Sequence, residues 1–159
     1  MRKLGLSDWA SVAEIAGTIA IVSSLLIVAY SLERNTTAQS GQYVNEMYDA
    51  NREISQILLV NPALASIIER GQMDVSTISA SERLQYEQYL GLHLDIWERA
   101  ITRQKEGLIN DQSIAGWHKY YHEFFRRSLT KEMWEDMKWQ WTDPELYRRV
   151  DAAVAGETL

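Results

Sequence analysis

Three histidines, His93, His118 and His122, are the side chains best suited to proton transfer or metal binding near neutral pH. The last two have the i, i+4 spacing that lets a pair of imidazoles on one helix face bind the same metal ion. No glutamate precedes a histidine by three residues, as a di-iron helical bundle requires, and the H-E-x-x-H motif is missing. We therefore predict no cofactor, with His118 and His122 as weak metal candidates only. We expect the histidines to be partly exposed, near Asp95 and Glu98.

The sequence also lacks the motifs of nucleophilic catalysis and of phosphate binding. It contains neither G-x-S-x-G nor the glycine-rich patterns G-x-x-x-x-G-K and G-x-G-x-x-G. The absence of cysteine excludes disulfides, thiolate zinc sites and cysteine nucleophiles. Sixteen basic and 22 acidic residues give a net charge of -6, the wrong sign for neutralising nucleic-acid phosphates. We predict no catalytic residues and no nucleic-acid partner.

Three of the six tryptophans, Trp134, Trp139 and Trp141, lie close together among lysines and acidic residues. Such a segment is typical of a helix at the lipid headgroups. It is also typical of a partner-binding surface, where tryptophan often dominates the binding energy. The third interpretation is the domain core, because Met133, Met137 and Trp141 recur at every fourth position on one helix face. These three alternatives stay open at the level of the sequence.

An uncharged apolar segment near the N-terminus is long enough to cross a lipid bilayer. Residues 15–32 are 18 consecutive uncharged residues, and the apolar residues before them extend a helix to about 33 Å. Trp9 and Tyr30 lie near its two ends, where interfacial aromatic residues are common. We predict a transmembrane helix over residues 9–32 after a short tail at residues 1–8, with the bilayer as a partner.

Two other interpretations of this segment are a buried helix of a water-soluble domain and a cleaved signal peptide. A buried helix usually keeps a polar face, whereas the middle of this segment offers little beyond Thr18, Ser23 and Ser24. A signal peptide is disfavoured by Asp8 and Glu14, which are acidic residues in what should be a basic leader. The basic residues on the two sides of the span are too evenly divided to fix its orientation.

Small residues recur along the predicted span. Ala16, Ala20 and Ser24 are four residues apart, and Ala13 precedes Gly17 by the same interval. This pattern lets the backbones of two transmembrane helices approach closely. It predicts packing against a second copy of the chain or against another integral membrane protein.

After the span, Tyr43, Met47, Ala50, Ile54 and Ile57 follow alternating steps of four and three residues. This heptad spacing predicts a seam against other helices on one helix that leaves the membrane and ends near Val60. We assign seven residues to a candidate interface with partners, namely Trp9, Tyr43, Met47, Ile54, Trp134, Trp139 and Trp141.

The remainder of the chain predicts further helices and no sheet. Capping residues and prolines start them, and glycines end several of them. The predicted helices cover residues 62–70, 80–106, 111–128, 131–139 and 144–155. If the second and third form an antiparallel hairpin, His93 lies opposite Phe124. The predicted fold is all-α, with a single compact extramembrane domain at residues 33–159.

Four short motifs lie in the first half of the chain, and they specify structure rather than catalysis. They are A-E-I-x-G at residues 13–17, R-N-T at residues 34–36, N-P-x-L at residues 61–64 and S-x-x-E-R at residues 79–83. With these motifs the chain resembles a set of uncharacterised bacterial single-span membrane proteins. The resemblance implies an N-terminal transmembrane helix in the inner membrane and a helical domain on the cytoplasmic side. It implies no enzymatic activity.

Together these features predict a membrane-anchored interaction module rather than an enzyme. We expect an accessory or scaffolding subunit that forms a homo-oligomer or joins a larger membrane complex. The alternative is a membrane-tethered sensor in which Trp97, Trp117 and Tyr121 line a pocket for a small ligand. A metal-dependent enzyme is the least favoured interpretation.

Overall fold

The computed structural model describes residues 6–158 of the chain, with side chains from residue 14 onwards. Its described residues form helices and turns, with no strand among them, which confirms the all-helical prediction. Short 3-10 turns follow α2 and α5, at Val75–Thr77 and Lys138–Gln140. Within residues 6–158 the six α-helices are α1 (Leu6–Val60), α2 (Pro62–Met73), α3 (Ala80–Lys105), α4 (Asp111–Ser128), α5 (Lys131–Met137) and α6 (Pro144–Val154).

The chain divides into two compact units, Met1–Gln39 and Ser40–Leu159. In the first unit the apolar segment of α1 is long and apolar enough to cross a membrane, and its side chains are exposed. The Thr18 and Ser24 hydroxyls each donate a hydrogen bond to the carbonyl oxygen four residues earlier, at 2.9 and 2.8 Å. The polar groups of these two side chains are therefore satisfied within their own helix. The side chains of Trp9 and Ala13 lie outside the described residues.

The second unit is a helical domain whose helices begin where the sequence places capping residues. At the start of α3, the Ser79 backbone N–H donates to the Glu82 carboxylate at 2.8 Å while the Glu82 N–H donates to the serine hydroxyl, forming a capping box. Side-chain oxygens also accept backbone N–H groups at the first turns of α2, α4, α5 and α6. Those residues are Asn61, Asn110, Thr130 and Asp143.

Two helix ends differ from the prediction. Helix α2 does not end at Gly71 but continues to Met73, because this glycine packs against the ring of Tyr86 rather than closing the helix. A Cβ atom at position 71 would lie 3.0 Å from the Tyr86 ring, so the close approach requires glycine. Helix α5 ends at Met137 and tightens into a 3-10 turn, where the prediction continued it to residue 139.

Helices α3 and α4 carry the centre of the domain core. The His93 and Phe124 rings lie 4.4 Å apart, as the predicted hairpin register requires. One turn further along α3, Trp97 stacks on Tyr121 and Phe125 at centroid distances of 5.5 and 5.7 Å. These rings are fully buried, and such stacked pairs stabilise a core beyond the area they remove from water.

The heptad seam of α1 packs within its own domain except at Ile57, which is 46% exposed. Met47 and Ile54 are only 6% and 7% exposed and belong to the same core as α3 and α4. Tyr43 is half-buried beneath the Arg103 guanidinium, which lies 3.8 Å from the ring centroid. Their assignment to an interface with partners is corrected for Met47 and Ile54, because these side chains already contact the domain of the same chain.

Candidate functional site

All three histidines are buried, which corrects the expectation of partly exposed rings. The Trp97 indole N–H donates to His118 Nδ1 at 2.9 Å, so the proton of this imidazole is on Nε2. His118 Nε2 then donates to the Gln104 side-chain oxygen, also at 2.9 Å. Both nitrogens of His118 are therefore used in hydrogen bonds within the core.

His122 has a different set of contacts. Its Nε2 donates to the backbone carbonyl oxygen of Glu157 at 2.8 Å and so ties α4 to the end of the chain. Among the described residues, no group of three or more histidine or acidic side chains is placed to hold a metal ion. The i, i+4 spacing of His118 and His122 thus serves two separate structural contacts.

The acidic residues expected near the histidines bind the C-terminal segment instead. The Asp95 carboxylate accepts the indole N–H of Trp141 at 2.8 Å. The Glu98 carboxylate accepts the backbone N–H groups of Thr142 and Asp143 at 3.2 and 3.1 Å. These bonds fix the segment before α6 onto α3, because charged acceptors form strong hydrogen bonds.

His93 and His118 are held in the neutral state. Burial lowers the pKa of His93 to about 4. The ring has no hydrogen-bond partner and is surrounded by aromatic side chains, including Tyr89 at 4.9 Å. Burial also lowers the pKa of His118 to about 4, and the positive charge of Arg149 adds to this effect, against the opposite influence of Glu145. Neither ring can act as a proton carrier near pH 7 from within this core.

The tryptophan cluster divides between core and surface. Trp134 is fully buried and donates its indole N–H to the Asp151 carboxylate at 2.7 Å, and Trp141 is 4% exposed. The core interpretation therefore applies to these two residues, and their assignment to a partner-binding surface is corrected. Trp139 is 76% exposed, with its indole N–H bonded to the Asp136 carbonyl oxygen at 3.0 Å. For this residue a surface role stays a prediction.

A groove of about 490 Å³ lies between α1 and α4 and is a candidate binding site lined mainly by aromatic side chains. The indole of Trp117 lies 4.8 Å from the Tyr48 ring, with 61° between the two planes. The indole also lies 6.0 Å from the Tyr120 ring, at 85°, and stacks on the buried Tyr121 ring at 5.9 Å. Tyr48, Trp117 and Tyr120 line the same groove, and we call these three rings the aromatic box. The complete lining is Tyr48, Asn51, Ser113, Gly116, Trp117 and Tyr120.

Helix geometry explains why these residues meet. Positions 113, 116, 117 and 120 follow i, i+3, i+4, i+7 spacing and therefore share one face of α4. The face is open at Gly116, since a Cβ atom there would have no neighbour within 4 Å. Asn51 donates its amide N–H groups to the Tyr121 hydroxyl and to the Met47 carbonyl oxygen, both at 2.9 Å. Its amide oxygen is the group it can offer to a ligand.

Of the three side chains predicted to line a ligand pocket, one lines this groove. Trp117 lines the groove, but Trp97 and Tyr121 are fully buried in the core behind it. Tyr48 and Tyr120 were not predicted as site residues. Tyr120 follows Trp117 by three residues and so lies on the same helix face, which is visible in the sequence. The approach of α1 to α4, which brings Tyr48 to this face, is a tertiary feature that a single sequence does not specify.

Comparison of the chain with protein-family models, with curated proteins and with solved structures found no match. The resemblance to bacterial single-span proteins therefore stays a prediction.

Proposed function

We propose that the protein is a single-pass membrane protein of the bacterial inner membrane whose helical domain acts by binding. In this proposal it is an accessory or scaffolding subunit that forms a homo-oligomer or joins a larger complex of membrane proteins. The resemblance described above supports a cytoplasmic location of the domain. The observation that carries the proposal is the unpacked apolar segment of α1.

Nine aliphatic side chains between Ile15 and Leu32 are 50–66% exposed. Transfer of these side chains from water into hydrocarbon stabilises the chain by roughly 10 kcal/mol on an area scale. Glu14, at the edge of the segment, opposes insertion by about 3 kcal/mol if its carboxylate is drawn to the bilayer centre, and by less at headgroup depth. The transfer free energy of the aliphatic side chains exceeds the cost of Glu14, so the segment favours a lipid environment.

The small residues of the span support a binding role. Ala16, Gly17, Ala20 and Ser24 are all exposed on the helix. A second helix can approach closely at such positions, and close packing drives association within a bilayer. The domain contributes a packed core with buried, neutral histidines, which supports a structural and binding role rather than acid–base catalysis.

The test is the state of the full-length protein after extraction from membranes in a mild nonionic detergent. Native mass spectrometry should detect a homo-oligomer or a stoichiometric membrane-protein partner. Ala20→Ile should disrupt this association, because the larger side chain separates the helices. Val22→Ile is the matched control on a different helix face and should have no effect. A wild-type protein that is monomeric and free of partners would contradict the proposal.

A further inference from the structure

The box formed by Tyr48, Trp117 and Tyr120 has no role in the proposed membrane assembly. Tyr48 and Tyr120 are 56% and 47% exposed, although large aromatic side chains usually gain stability from burial. Both rings contact the Trp117 indole and line the same groove. Because these two rings are exposed, the groove is accessible to a ligand.

Aromatic faces carry negative electrostatic potential and attract cations that are weakly hydrated. A quaternary ammonium group is the cation that such boxes bind best, because its methyl groups pack on the rings while its charge interacts with their faces. No lysine or arginine is among the six residues that line the groove. Residues 33–159 contain 14 basic and 20 acidic residues, so the net charge of the domain also favours a cation.

We propose that this groove binds a quaternary ammonium group. Asn51 and Ser113 lie at the polar edge of the groove, where they can bind a hydroxyl or ester oxygen attached to that group. The group has two chemical sources, a free solute such as choline and the phosphocholine headgroup of a lipid. This site does not depend on oligomerisation or on a partner subunit.

The contacts around the groove separate the two sources. Gly116 and Tyr120 also line a neighbouring depression that carries Lys119, Glu123 and Arg127, of which Arg127 is paired with Glu123 at 3.7 Å. A phosphate attached to the ammonium group could pair with Lys119, whereas choline has no anionic group. Tighter binding of phosphocholine than of choline, with this gain lost in Lys119→Gln, would identify the headgroup as the source. Equal affinities would identify the free solute.

The experiment is a calorimetric titration of the full-length protein in a maltoside detergent, which contains no amine. The probes are choline and its neutral carbon isostere, dimethylbutanol, which has the same shape without the charge. Choline should bind saturably, and the isostere should bind at least about tenfold more weakly. Tyr48→Leu should weaken choline binding by about tenfold, whereas Tyr48→Phe, which keeps the aromatic face, should bind as the wild type does.

Trp139→Leu is the matched control, since it removes an exposed indole that lies outside the groove. It should leave choline binding unchanged. Circular dichroism should give the same melting temperature for Tyr48→Leu and Tyr48→Phe, which separates a lost contact from a lost fold. Absence of saturable choline binding, equal binding of the neutral isostere, or unchanged binding in Tyr48→Leu would each overturn the proposal.

Discussion

Lowering the pH from 7 to 5 should destabilise the helical domain through two buried histidines. His93 and His118 each have a pKa of about 4 in the folded chain, below the ordinary value of 6.5. In the unfolded chain both rings bind a proton as the pH falls below 6.5, whereas in the folded chain they stay neutral until the pH approaches 4. The contribution of these two neutral histidines to the free energy of unfolding is therefore present above pH 6.5 and is lost as the pH falls from 6.5 to 4.

The size of this effect follows from proton linkage. For one histidine with these two pKa values, moving from pH 7 to pH 5 favours the unfolded state by about 2 kcal/mol. Two histidines give about 4 kcal/mol, a large share of the 5–15 kcal/mol that is typical of a folded domain. Hydrogen bonds from Arg70 and Arg148 lower the pKa values of Glu82 and Glu145 to about 2. These carboxylates lose their contribution only below about pH 4.5, so the interval from pH 7 to pH 5 isolates the histidines.

The assay is urea unfolding of the full-length protein in nonionic detergent, followed by tryptophan fluorescence and circular dichroism at each pH. The variant His93→Phe keeps a ring of similar shape beside Tyr89 and Phe124 but cannot bind a proton. Its free energy of unfolding should fall by about 2 kcal/mol between pH 7 and pH 5, half the fall of the wild type. At pH 7 the variant should be at least as stable, since it removes two buried nitrogens without partners. A fall as large as that of the wild type would refute this reasoning.

Three further predictions concern individual contacts and the orientation of the chain. Gly71→Ala should lower the free energy of unfolding by about 1–3 kcal/mol, because the added Cβ would lie 3.0 Å from the Tyr86 ring. Gly116→Ala should raise the free energy of unfolding by up to about 1 kcal/mol, because its Cβ would have no neighbour within 4 Å and alanine favours the helix. Ser79→Ala should lower the free energy of unfolding by about 1 kcal/mol, because it removes the capping box of α3. Urea unfolding measures this change, and an unchanged unfolding midpoint would contradict the role of this cap. Because the sequence has no cysteine, Ser55→Cys provides a unique thiol, which an impermeant maleimide should label in lysed but not in intact cells if the domain is cytoplasmic. Labelling in intact cells would place the domain on the opposite side.

Local signals in the sequence were sufficient to predict where most of the helices begin. The helices predicted to begin at residues 62, 80 and 111 begin there, with Asn61, Ser79 and Asn110 as their caps, because a capping side chain acts on the next three residues only. The hairpin register that pairs His93 with Phe124 was also predictable, since a short connection between two amphipathic helices leaves few alternatives.

Features that depend on tertiary packing were not predictable in the same way. Glycine usually ends a helix, yet Gly71 lies inside α2 because the Tyr86 ring from α3 packs directly on it. The burial of His118 depends on a hydrogen bond from Trp97, which the i, i+4 spacing of the histidines does not specify. The groove beside Trp117 requires the approach of α1 to α4. Sequence patterns therefore predicted the elements better than the site.

We propose that residues 9–32 cross a lipid bilayer, and membrane fractionation of the full-length chain can test this claim. After cell lysis and an alkaline carbonate wash, ultracentrifugation should leave the protein in the membrane pellet, and only detergent should release it. The double substitution Leu25→Arg/Leu26→Arg should move the protein out of the pellet, because each arginine near the middle of the span costs about 3 kcal/mol. Leu84→Arg, at an exposed position of the helical domain, should leave it there. Recovery of the wild-type chain in the detergent-free supernatant would contradict the claim.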